Sequence, residues 1–128
     1  MSDSSPQETF AYVAEKLSDL GIAYLHVVEP GIKGAELISE SEPVAAKHLR
    51  QHFRGTLIAA GGFTGESAEA ILQAGDADAV AFGRAFISNP DLPNRLRHNQ
   101  PLTPYDRTTF YGAGAHGYTD YPRAKISD

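Results

Sequence analysis

Two glycine clusters in this sequence each follow a short apolar run. Gly61-Gly62 comes directly after one run, and Gly83-Arg84 comes shortly after the next. Apolar runs that end in glycine and precede a helical pattern are typical of strand-to-helix turns. Backbone N–H groups at such turns, together with the guanidinium of Arg84, suit a phosphate monoester. The spacing predicts a phosphate site, while ordinary tight turns and a surface ion pair of Arg84 are the alternatives.

Helical and strand patterns alternate through residues 1–98. The predicted elements, in chain order, are helix 6–20, strand 22–28, helix 43–53, strand 57–60, helix 66–74, strand 79–82, a helical turn at 85–88 and a helix 90–98 capped by Asn89. The strands are apolar throughout, which is typical of a parallel sheet buried on both faces. This order predicts an α/β fold of three βα units behind one helix. Since the loops after strands 7 and 8 of a (β/α)8 barrel form phosphate sites of this kind, we expect a barrel or part of one.

Residues 99–128 differ from the rest of the sequence. They show no helical or strand periodicity, but they contain several glycines and most of the aromatic rings of the second half of the chain, namely Tyr105, Phe110, Tyr111, Tyr118 and Tyr121. Free tails are rarely so aromatic. We therefore predict an ordered arm that packs against the βα units, with Tyr118 and Tyr121 covering the core.

Composition excludes several function classes. The 128 residues are 41% hydrophobic, carry a net charge of −5 with scattered basic residues, and include no cysteine. These values predict a globular protein without nucleic-acid or anionic-membrane partners and without disulfides. No apolar run reaches the roughly 20 residues of a membrane span, and no signal peptide is evident, so a cytoplasmic location is expected. His48 and His52 lie one helical turn apart but suggest no third ligand, and no metal site is predicted.

Six stretches of the sequence together resemble the Old Yellow Enzyme family. They lie in the same order and at matching spacing as in that family, and they are YLHVVE (24–29), AGGFT (60–64), DAVAFGR (78–84), FISNPDL (86–92), FYGAG (110–114) and GYTDYP (117–122). Members of the family are FMN-dependent, NAD(P)H-oxidising ene-reductases, including N-ethylmaleimide reductases and 12-oxophytodienoate reductases. Each stretch alone is a weak signal, whereas the combination is specific.

The resemblance implies a fold and a set of site residues. Residues 1–128 would form one partial (β/α)8 TIM barrel segment, the C-terminal third of the family fold, with strands 6–8 and their helices in 1–98 and the aromatic, glycine-rich arm in 99–128. FMN would bind at the carboxyl ends of the strands, with NAD(P)H as reductant and an activated alkene (enone) or nitro compound as substrate. The FMN phosphate would be held by the backbone of Gly61, Gly62, Phe63 and Gly83 and by the backbone and side chain of Arg84. Tyr111 matches a position near the flavin and the substrate.

The resemblance also places family residues outside this sequence. The substrate-gripping His/His or His/Asn pair and the usual tyrosine proton donor belong to strands 1–5, so no catalytic residue is assigned here beyond the candidate contact Tyr111. Met1 falls where the family runs from strand 5 into helix 5, and we expect a truncated gene product or a fragment. The leading hypothesis is an FMN oxidoreductase segment of the ene-reductase class. The alternatives are a remnant that binds phosphate or FMN without catalysis, and a fragment that self-associates or needs a complementing barrel segment.

Overall fold

The computed structural model describes residues 4–29, 32–33, 36–37, 46–112 and 114–125. The chain divides into two compact units, Met1–Ala81 and Phe82–Asp128. Within the described ranges, no helix is both long and apolar enough to cross a membrane.

The first unit is an α/β unit built on a parallel sheet. Its elements are α1 (Pro6–Asp19), β1 (Tyr24–Val28), β2 (Ile32–Lys33), β3 (Glu36–Leu37), α2 (Ala46–Arg50), β4 (Thr56–Ala60), α3 (Gly65–Gln73) and β5 (Ala79–Ala81). Strands β1, β4 and β5 are parallel, in the order β1-β4-β5, and β2 pairs with β3 in a separate antiparallel sheet. The register aligns Val28 with Ala60 and Ala60 with Ala81, so the carboxyl ends of the three strands share one sheet edge. The α/β class and the parallel sheet are thereby confirmed.

Only one face of this sheet is buried among the described residues. Leu57 and Ala59 point into a core that also holds Val27, Leu49 and Phe53. Alternate residues of β1 instead point to the other face, where Tyr24 and Val28 are more than half exposed. The expected burial on both faces is therefore wrong for the described part of this unit, where the helices cover only the side that carries Leu57 and Ala59.

Polar side chains fix both edges of the sheet. At the amino edge, Asp78 Oδ2 accepts from Leu57 N–H at 2.8 Å and from Arg50 Nη1 at 2.7 Å. At the carboxyl edge, Glu29 N–H donates to Ala60 O at 2.7 Å, and Glu29 Oε1 accepts from Ala46 N–H at 3.0 Å. Glu29 thus joins the ends of two strands to the start of α2.

The second unit contains α4 (Arg84–Ser88), α5 (Leu92–Arg97) and the 3₁₀ turn Arg107–Thr109. Among its described residues the buried ones are Ser88, Asn89, Leu92, Arg95 and Gly117, most of which are polar. Residues 99–112 and 114–125 run beside these two helices without regular structure apart from the 3₁₀ turn.

Several predicted boundaries need correction. Helix α5 begins at Leu92 after the N-cap Asp91, so Asn89 does not cap it. Helix α2 ends at Arg50, whereas Phe53, predicted inside that helix, lies beyond its end with its ring in the core. The predicted start of α2 at residue 43 lies outside the described residues.

Candidate functional site

The turn after β4 depends on two consecutive glycines. Gly61 has φ 107° and Gly62 has φ 71°, both in the region that side-chain-bearing residues rarely occupy. This backbone leads from Ala60 at the sheet edge to Phe63, whose side chain packs against the core. Glycine is therefore needed here to make the turn.

The helix that follows this turn caps itself. Thr64 Oγ1 accepts from Ser67 N–H at 3.1 Å, and Ser67 Oγ accepts from Thr64 N–H at 2.9 Å. This reciprocal capping box satisfies two donors that an anion at the helix start would otherwise use. Glu66 adds a negative charge in the first turn. The capping box thus uses the N–H groups of Thr64 and Ser67, and the glycine peptides lie directly before them.

Gly83 and Arg84 begin α4 in the second unit. Gly83 is the N-cap and has φ −91°, which any residue can adopt. A Cβ at Gly83 would meet no atom within 4 Å, so there is open space beside this backbone. Glycine is thus not required here for folding, and the open space is available to a ligand.

The Arg84 guanidinium is only partly satisfied. Its Cζ lies 5.7 Å from the centre of the Tyr105 ring, within the range of a cation–π contact. Nη1 is buried and has no hydrogen-bond partner within the described parts of the chain. A buried donor left without an acceptor costs about 1–3 kcal/mol, so such groups are usually paired. A phosphate oxygen has the chemistry that this donor lacks.

Tyr105 was not identified from the sequence as a partner of Arg84. The two residues lie on segments without shared periodicity, and no local rule links an arginine in a helix to an aromatic residue so far along the chain. The centre of the Tyr105 ring also lies 5.6 Å from that of Phe110. The ring that Arg84 faces therefore belongs to a pair of aromatic rings in the arm.

Tyr111 is 94% exposed in this structure. Tyr118 is also mostly exposed, which makes the expectation that it covers the core wrong. Tyr121 is half-buried, and its hydroxyl accepts from Asp106 N–H at 3.2 Å. The arm is therefore ordered by hydrogen bonds more than by burial of its rings.

Three carboxylates of the second unit have pKa values below the ordinary range. Burial opposes the ionised form of Asp91, but hydrogen bonds from Arg95 and Ala124 N–H outweigh it and lower the pKa of this carboxyl. Hydrogen bonds from the Thr108 side chain and backbone lower the pKa of Asp106. The Gly117 N–H does the same for the pKa of Asp120. These carboxylates are structural anions that hold turns of the arm.

Two histidines of the first unit, His48 and His52, contact helix α1. His52 Nδ1 lies 2.8 Å from Glu15 Oε1, and His48 Nε2 lies 3.3 Å from Gln7 O. The described residues contain no group of three His, Cys, Asp or Glu side chains that could hold a metal ion. His48 therefore links α2 to α1, and His52 links the turn that follows α2 to α1.

Comparison with known proteins places the chain in a family. Residues 1–103 match the model of the NADH:flavin oxidoreductase / NADH oxidase family. The chain is 42% identical over 125 residues to 12-oxophytodienoate reductase 2 of Arabidopsis thaliana, covering 94% of this chain and 32% of that protein. Among curated relatives it also matches a 12-oxophytodienoate reductase-like protein of Solanum lycopersicum, at 41% identity over 98% of this chain and 33% of that one.

Solved structures give the same result. Morphinone reductase superposes with a TM-score of 0.84 at 41% identity, covering 96% of this chain and 32% of that chain. An Old Yellow Enzyme homologue from Zymomonas mobilis superposes with a TM-score of 0.86 at 40% identity, covering 94% of this chain and 34% of that chain. The chain thus spans about a third of the length of the curated relatives it matches. It belongs to the NADH:flavin oxidoreductase / NADH oxidase family.

Proposed function

We propose that this chain binds the phosphate end of FMN and forms part of an oxidoreductase of the ene-reductase class. The flavin would supply the redox chemistry, taking hydride from NADH or NADPH for delivery to an enone or nitro compound. The chain's own contribution is to hold and orient the cofactor. Family membership and the likeness to morphinone reductase and Old Yellow Enzyme structures support this proposal.

One observation carries the phosphate assignment more than any other: Nη1 of Arg84 is buried and has no hydrogen-bond partner among the residues that the structure describes. A guanidinium that lacks an acceptor and is backed by an aromatic ring is suited to a phosphate, which offers several oxygens and a full charge. The fit is supported separately by the open space at Gly83 and by the left-handed turn at Gly61 and Gly62, two residues that carry no side chain.

The assignment gives each residue a distinct part. In the first unit, backbone N–H groups of Gly61, Gly62 and Phe63 would donate to phosphate oxygens. In the second unit, Gly83 would leave room for the phosphate, and Arg84 would neutralise its charge with backbone and side-chain donors. All these contacts bind the cofactor equally in ground and transition states, so they place the flavin without themselves raising the chemical rate.

The position of the chain within a barrel is part of the same proposal. Three parallel strands with helices on one face are what strands 6–8 of a (β/α)8 barrel would contribute, and the other face of such a sheet lines the barrel interior. Here that other face includes the exposed Tyr24 and Val28. This exposure favours the alternative in which the chain associates with itself or with a complementing barrel segment.

The phosphate assignment is tested by comparing FMN with riboflavin, which lacks the phosphate. Arg84→Ala is expected to weaken FMN binding by the full chain about 10- to 150-fold, the value of a hydrogen bond between charged groups, and to leave riboflavin binding unchanged. Gly83→Ala is expected to do the same through its methyl group, because it neither strains the backbone nor contacts the protein. Arg97→Ala, an exposed arginine on α5, is the matched control and should affect neither flavin. Equal losses for FMN and riboflavin in Arg84→Ala would show that Arg84 supports folding rather than phosphate binding.

A further inference from the structure

Asp91 and Arg95 form a buried ion pair in the second unit. Arg95 Nε lies 2.9 Å from Asp91 Oδ1, and their side chains are only 7% and 8% exposed. An i,i+4 pair on a short helix is usually a solvated surface pair of little value. Here the burial and the further contacts of both side chains indicate a different role.

The pair binds both ends of one long segment of the arm. We call residues 101–112 and 114–122 the aromatic loop. Arg95 Nη1 donates to Pro101 O at the beginning of the loop, and Nη2 donates to Pro122 O at its end, each at 2.9 Å. Just beyond the loop, Asp91 Oδ2 accepts from Ala124 N–H at 2.8 Å. The Arg95 guanidinium thus joins the two ends of the loop, which we call its base. The Asp91 carboxylate binds the segment that follows the loop.

The aromatic loop is also packed within itself. A Cβ at Gly117 would collide with the Thr109 side chain, and Gly117 has φ +73°, so the two limbs of the loop touch at a position where only glycine fits. The hydroxyl of Tyr121 accepts from Asp106 N–H across the same two limbs. A loop with joined limbs is expected to move as a body, so its orientation depends on its attachments, which are the base at Arg95, the bonds of Thr103 to Asn89 and the contact of Tyr105 with Arg84.

We propose that Arg95, held by Asp91, is a positioning residue that fixes the aromatic loop and through it Tyr111. The proposal rests on the proposed function only for the use of Tyr111 as a flavin or substrate contact. The closing of the loop by Arg95 stands on the contacts above and can be tested without any flavin.

Arginine is required at this position because of its shape. Its planar fork reaches Asp91, Pro101 and Pro122 at once, whereas the single ammonium of a lysine reaches only part of that set. Arg95→Lys therefore keeps the charge and the ion pair but opens the base of the loop. Arg97→Lys, on the exposed side of the same helix, is the matched control.

The test is amide exchange and the ¹⁵N heteronuclear NOE in the full chain without cofactor. In Arg95→Lys, exchange at Thr103 and Ala124 is expected to quicken at least about tenfold, and the NOE at Tyr111 to fall. Amides of α5 and β4 should keep their exchange rates. Asp91→Asn leaves one acceptor oxygen, which cannot accept from Arg95 and from Ala124 N–H at once. With that oxygen on Arg95, amide exchange at Ala124 should quicken, while Thr103, whose N–H donates to Asn89, stays protected.

Two results would overturn the proposal. One is an Arg95→Lys variant in which the NOE at Tyr111 equals that of the wild type. The other is amide exchange that quickens equally in β4 and at Ala124, which would mean that the ion pair supports the whole fold. A loss of amide protection and of NOE confined to the aromatic loop supports the proposal. This outcome does not depend on whether the chain binds FMN more tightly than riboflavin.

Discussion

Asn89 binds both backbone polar groups of Thr103. Its Oδ1 accepts from Thr103 N–H at 2.7 Å, and its Nδ2 donates to Thr103 O at 3.1 Å, so the side-chain amide pairs with the chain as a neighbouring strand would. Ser88 Oγ also donates to Thr103 O, at 2.8 Å. The junction of α4 and α5 is thereby tied to the start of the arm by buried polar groups.

Replacing Asn89 with alanine is expected to destabilise the second unit. The substitution leaves the Thr103 N–H without its acceptor, which costs about 1–3 kcal/mol of the free energy of unfolding. Urea unfolding followed at the arm tyrosines measures this loss, with Asn94→Ala, exposed on α5, as the control. Equal midpoints for wild type and Asn89→Ala would mean that solvent replaces the lost bonds.

The pairing of Asn89 also shows where sequence patterns stop being informative. Asn-Pro before a helical pattern is typical of an N-cap, yet the cap of α5 is Asp91, because the Asn89 amide instead pairs with a residue 14 positions away. Similarly, Arg95 is a charged helix residue that patterns assign to solvent. It is buried because the carbonyls of Pro101 and Pro122 supply acceptors that no local rule anticipates.

The βα units were predictable because their signals are local. Apolar runs predicted β1, β4 and β5 to within two residues at either end. The single-sided burial of the sheet was not predictable, since an apolar strand has the same composition whether one face or both are covered. The spacing of the glycines and Arg84 predicted a phosphate site. The cation–π contact between Arg84 and Tyr105 joins residues far apart in the sequence, so only the folded structure shows it.

The exposed sheet face should make the isolated chain associate. Tyr24 lies on edge strand β1 and is 55% exposed, and such apolar edges pair with other chains. Light scattering after size exclusion is expected to give a mass above 13.8 kDa, and Tyr24→Lys should shift the chain toward that value. Tyr118→Lys, which replaces another exposed tyrosine, is the control. A monodisperse wild-type monomer that unfolds cooperatively would contradict this prediction.

Acid should disrupt the arm. Since the pKa values of Asp91, Asp106 and Asp120 are lowered by native hydrogen bonds, their stabilisation is complete above the ordinary carboxyl pKa of about 4 and is lost as the pH falls below it toward the folded-state values. Four of the six tyrosines lie in the arm and the chain has no tryptophan, so near-UV circular dichroism reports on it directly. The tyrosine signal is expected to diminish between about pH 4 and pH 2. A signal that stays constant or grows over that range would rule out this role for the three carboxylates.

Two glycines with the same backbone conformation allow the phosphate turn to be separated from simple folding. Gly62 has φ 71° and Gly75, after α3, has φ 75°. Alanine at either position costs about 1–2 kcal/mol of stability, because the left-handed backbone crowds its Cβ. Gly75→Ala meets no neighbouring atom, so that strain is its whole effect.

Gly62→Ala should in addition weaken FMN binding. The strained turn rotates the peptide groups proposed to donate to the phosphate, and losing one such bond to a charged acceptor lowers affinity by about tenfold or more. FMN and riboflavin titrations are compared at a temperature where both variants remain folded. Gly75→Ala is expected to bind FMN as the wild type does, while Gly62→Ala loses FMN and keeps riboflavin. If the two variants bind FMN equally well, Gly62 serves only to turn the chain from β4 into α3, and the phosphate rests on other donors.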